Sequence, residues 1–130
     1  MTAFEGSNLI PSTPGKDTVV GLRAWASGIL PTEAGVELLI SAVDGRLLHG
    51  PWIRIATDDT CTCFDATLAD AAGELSGGER RILRIAASLA DPTCMVALAD
   101  VLVGLDDRHA RLVLNAVAHA AGWSGAVATS

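Results

Sequence analysis

Residues 75–92 read LSGGERRILRIAASLADP, and the fold expected for the chain depends on how this run is read. Ser76 stands three residues before Glu79, the spacing of a capping box that opens a helix. Ile82, Leu83, Ile85, Ala86 and Leu89 recur at spacings of three and four, so one face of that helix is apolar. Asp91-Pro92 ends it. The pattern predicts a helix from Gly77 to Leu89 or Ala90.

Outward from this helix, residues 94–98 (CMVAL) form a short continuous apolar run, expected as a buried strand. Asp106-Asp107 precedes a second apolar-periodic stretch, a helix over 108–121 with Leu112, Val113, Ala116 and Val117 inward, closed by Gly122. Residues 125–129 are expected as a last strand. Helix, strand, helix, strand in this order predicts a parallel sheet covered by helices.

The first half is less regular. Residues 18–30 carry helical spacing weakened by Gly21 and Gly28. The next segment is open: a strand over 36–40, or a helix over 33–43 capped by Thr32. Residues 51–57 (PWIRIAT) alternate as a strand does, and 64–72 fit a short helix. Residues 1–14, rich in Gly, Ser and Pro, are expected to be a flexible start.

The chain has 130 residues, suited to one domain. Half are hydrophobic and 18% charged, with mean hydropathy +0.40, so an apolar surface is expected to face a partner or a second copy. Nine Lys and Arg against fifteen Asp and Glu give a net charge of -6, a poor match to nucleic acid. The three Arg of the 80–84 stretch could contact phosphate, or form the wet face of the helix. Three cysteines, Cys61, Cys63 and Cys94, make an odd count that argues against a disulfide framework and for thiols in a reducing cytosol. No His and Cys cluster completes a metal site. His109 and His119 are ten residues apart on one helix and do not make a catalytic pair. There is no leader pattern and no uncharged apolar run of about 18 residues, so a cytoplasmic protein is expected.

The run 75–92 also resembles the signature segment of the ATP-binding cassette (ABC) ATPases. That resemblance implies that the Ser76 hydroxyl and the Gly77 and Gly78 backbone N–H groups reach the γ-phosphate of ATP held by an opposing subunit. Unpaired N–H donors and a positive dipole end make a helix N-terminus suited to phosphate. The flanks follow the family's order over residues 74–121, with Gly104-Leu105-Asp106 where the family has its inter-subunit loop. Aligned through that loop, the magnesium-holding Asp falls on Ala99 and the catalytic Glu on Asp100, one methylene shorter. Near the N-terminus, Gly15, Lys16 and Thr18 match the family's phosphate loop, with Asp17 at the magnesium-binding position. Pro11 and Pro14 remove N–H donors from that loop, and no Gln exists in the chain to fill the family's lobe-connecting position.

The resemblance implies a three-layer α/β fold, a mostly parallel sheet flanked by helices, shortened by loss of the family's helical lobe. The expected function is a non-hydrolysing cassette-like domain that dimerises or docks a protein, with a vestigial nucleotide site; a membrane transporter complex is the family's usual setting. The alternative is a weak ATP binder or slow ATPase using Lys16, Thr18 and Asp100, with magnesium-ATP as its cofactor.

Overall fold

A computed structural model of the chain describes residues 16–55, 62–71 and 75–123. Helix α1 spans Lys16–Ala26 and α2 spans Leu30–Ser41, followed by a 3-10 segment, Ala42–His49. Strands β1 (Ile53–Ile55) and β2 (Thr62–Phe64) precede a second 3-10 helix, Ala66–Ala71. Helices α3 (Gly77–Ala90), α4 (Leu98–Leu102) and α5 (Asp107–Ala120) complete the described chain.

Among the described residues the expected parallel sheet is absent. The described residues are 70% helix and 6% strand. The sheet they contain is the antiparallel pair β1–β2, with Ile53 opposite Phe64 and Ile55 opposite Thr62. Residues 94–98 do not form a strand; 94–97 are irregular and Leu98 opens α4. A buried strand needs neighbours on both edges to satisfy its backbone, and among the described residues no strand lies beside this run. The strand expected over 125–129 and the flexible start expected over 1–14 lie outside the described residues.

The ambiguous segment is a helix, and α2 is the centre of the fold. It packs against α1, α3, α5 and the first 3-10 segment. Ala34, Val36, Leu38 and Leu39 are buried along it. The helix starts earlier than expected: Ile29 is the N-cap, Pro31 sits in the first turn where its missing N–H costs nothing, and Thr32 is buried instead of capping. A Cβ on Gly35 would stand 2.7 Å from the Ala86 carbonyl oxygen, so this glycine permits the close crossing of α2 and α3. Likewise a Cβ on Gly21 would meet the Thr62 side chain at 2.8 Å, so β2 lies tightly on α1.

Helix α3 begins as its sequence implies. Ser76 is the N-cap, its Oγ accepting the Glu79 N–H at 3.2 Å, while Glu79 Oε1 accepts the Ser76 N–H at 3.0 Å. Ile82, Leu83, Ile85 and Ala86 face the core. In α5, Asp106 caps the N-terminus by accepting the His109 N–H at 2.8 Å, and Gly122 adopts φ +76° just past the C-terminal end.

Candidate functional site

The residues expected to bind nucleotide are spread over separate elements. Lys16, Asp17 and Thr18 form the first turn of α1; Gly15 lies outside the described residues. Asp17 is exposed and Thr18 is buried, so the two point different ways. Helix α1 packs on α2 and β2, not at the end of a parallel strand. Ser76, Gly77 and Gly78 start α3, and the Ser76 hydroxyl is already engaged by the capping box. Asp100 is exposed in the first turn of the five-residue α4. With 94–98 not a strand, no strand end carries Ala99 and Asp100 toward a phosphate loop. Among the described residues, no group of three His, Cys, Asp or Glu is placed to hold a metal ion. No helix among them is long and apolar enough to cross a membrane.

Three other arrangements stand out. The first is a cleft of about 290 Å³ between α1, α2 and the end of α5, lined by Arg23, Glu33, Val36, Glu37 and His119. Its charges pair with one another. Arg23 makes a two-pronged bond to Glu37 at 2.7 and 3.0 Å. Glu33 accepts the Gly28 N–H at 2.8 Å and pairs with His119 Nε2 at 2.7 Å. The Gly28 N–H, then the His119 bond, hold the Glu33 carboxyl below its ordinary range, so it is ionised and His119 Nε2 carries the donated proton. With Arg23 paired to Glu37 and Glu33 paired to His119, this cleft offers a ligand no unpaired charge.

The second is the outer face of residues 95–103. Met95 is 85% exposed, Leu98 57% and Val103 68%; Leu102 is exposed as well, and Val101 of α4 is the one buried residue of this run. Two guanidinium groups border this run. A Cβ on Gly104 would lie 3.3 Å from Arg81 Nη1, so Arg81 reaches across from α3 to the end of the run. Arg84 shares a cleft of about 290 Å³ with Ala66, Ala87, Met95 and Val96, between α3 and the second 3-10 helix. That volume is at the small end of ligand pockets, about 300 Å³. Neither Arg81 nor Arg84 has an ion pair or hydrogen bond among the described residues. Asp100 is the only acidic side chain between residues 92 and 105.

The third is a histidine relay at the start of α5. His109 Nδ1 lies 2.9 Å from Asp106 Oδ1, and the Val43 N–H points at His109 Nε2 from 3.3 Å. A backbone amide can only donate, so Nε2 is the acceptor and the ring proton sits on Nδ1, directed at Asp106. Sequence reading singled out His109 without its partners, because Val43 is 66 positions away and nothing local marks the contact.

Compared with family models, with curated proteins and with solved structures, the chain matches none. Together with described residues that lack the parallel sheet of a P-loop ATPase, this overturns the resemblance to the ABC family and the cassette-like function and nucleotide site it implied. The run 75–92 is accounted for by the plainer reading of the same residues, a well-capped amphipathic helix.

Proposed function

We propose that this chain works by docking another protein on the face of residues 95–103, and that the segment it takes is both apolar and acidic. The observation carrying this is the run of exposed Met95, Leu98, Leu102 and Val103 bordered by Arg81 and Arg84. A large apolar patch costs free energy in water and marks an interaction site. Two guanidinium groups without partners among the described residues add a preference for carboxylates, which Arg receives in a two-pronged geometry. The Arg84 cleft has room for an aliphatic side chain next to that charge. An odd cysteine count, at variance with a disulfide framework, supports a cytoplasmic setting.

The test is a photo-crosslinking side chain at Val103 in the living cell. The expected result is a discrete adduct that disappears with Leu98→Asp and with the double substitution Arg81→Glu, Arg84→Glu. No adduct, or one indifferent to both changes, overturns the reading.

A second reading rests on α5. Leu114, Val117 and Ala121 are exposed at spacings of three and four, with exposed Arg111 one turn before them and without a partner among the described residues. Two such helices packed antiparallel about a two-fold axis would bury the stripe and set each Arg111 near the negative C-terminal end of the other helix. Sedimentation equilibrium distinguishes the readings: a dimer lost with Val117→Glu and kept with Leu98→Asp favours this second one.

A further inference from the structure

The corner that leaves α2 is wound the wrong way for its residues. Val43 has φ 42° and ψ 43°, Asp44 φ 56° and ψ 33°, and Gly45 φ 79° and ψ 6°. Three consecutive residues thus occupy the left-handed region. Gly45 does so freely, but a β-branched valine there is a genuine outlier. Such a conformation persists only where surrounding contacts impose it. The first turn of α5 supplies those contacts: the Arg108 guanidinium donates to the Ser41 carbonyl at 3.4 Å and lies 3.9 Å from Asp44, and His109 Nε2 takes the Val43 N–H.

We infer that His109 is a proton-operated catch on this corner: neutral, it holds the Val43 N–H through Nε2, and once protonated it releases it. The chemistry is a change of role. An imidazolium has N–H donors at both nitrogens, so Nε2 then presents a proton to a backbone N–H, and donor meets donor. Other charged groups lie around the corner. Asp106 faces Nδ1, and Arg108 stands on the same helix. Asp44 and Arg46 belong to the corner, Arg46 being drawn to the buried Glu79 of α3 at 2.8 Å. On α2, Glu37 is paired with Arg23 toward the far end of α5.

Release would matter beyond the corner, because Arg46 follows Gly45 directly. The same Glu79 that receives Arg46 closes the cap of α3, so the corner and the start of α3 are coupled through one carboxylate.

The test follows the Val43 amide in the whole chain by hydrogen exchange across the titration of His109, with the imidazole nitrogens read by NMR. In the wild type, Val43 protection should fall at least tenfold as the ring protonates. In His109→Gln, whose side-chain oxygen accepts without titrating, protection should be independent of pH. Asp106→Asn keeps the helix cap, and Val43 protection there should still fall as the ring protonates. The inference is overturned if Val43 protection follows the same pH course in wild type and His109→Gln, or if the neutral ring carries its proton on Nε2.

Discussion

Helix α3 and the run 94–103 lie side by side in sequence and both carry several large apolar residues, yet these end on opposite sides of the water boundary. Along α3 the apolar residues fall on one face, so Ile82, Leu83, Ile85 and Ala86 go inward while Arg80 and Arg84 stay wet. The run 94–103 has no polar face to turn outward. A segment of that kind is covered only if neighbours lie on both sides of it, and here α3 lies on one side. Val101 is buried against it, and Met95, Leu98, Leu102 and Val103 are left facing out. The total of apolar residues does not decide burial; their spacing against the available neighbours does.

Substitutions in the two regions should therefore differ in kind. The largest effect is expected for Leu83→Ala, where a fully buried side chain leaves a cavity: urea denaturation should show a loss of about 2–5 kcal/mol. A loss below 1 kcal/mol, roughly a surface value, would mean that α3 is not the buried partner of this comparison. Next is Glu79→Ala, which removes half of the capping box together with the Arg46 partner; about 1–2 kcal/mol should be lost, the scale of a helix cap.

Smaller still, and visible only in acid, is the contribution of Asp106. The His109 backbone N–H, and to a lesser degree the His109 ring, hold its carboxyl below the ordinary range. A depressed carboxyl stabilises the fold above the unfolded value, about 3.9, and that contribution is lost as pH falls through the lower folded value. Thermal melts should show the advantage of wild type over Asp106→Asn to be constant above pH ~5 and to vanish in stronger acid. Leu98→Asp should shift stability by no more than about 0.5 kcal/mol in the same urea experiment, because its side chain already faces water. A large loss there would mean that the run 94–103 is part of the core.

What could be read from the sequence follows the range of the interactions involved. The caps of α3 and α5 and the glycine past α5 are set by residues three or four positions apart, and Ser76, Glu79, Asp106 and Gly122 stand where the pattern implies. The strand expected over 94–98 depended on a sheet for it to join, which no local pattern encodes. The ABC resemblance failed for a related reason. A helix cap with two glycines and a tight turn at Gly104 serve a helical domain as well as a phosphate site. The contacts that shape the clefts, Glu33 with His119 and Val43 with His109, join positions 86 and 66 residues apart and leave no trace in the spacing of either partner.

The central placement of α2 bears on how the chain could be divided. Its buried side chains are covered by α1 from the same half of the sequence and by α3 and α5 from the other half. A cut ahead of Ser76 would leave one piece with an uncovered hydrophobic rod and the other with two amphipathic helices that lack the rod they were patterned to embrace. Neither piece would keep a fixed shape by itself. Mixed together they would have cause to rebuild the whole, Gly35 being the notch in which the two pieces find their register.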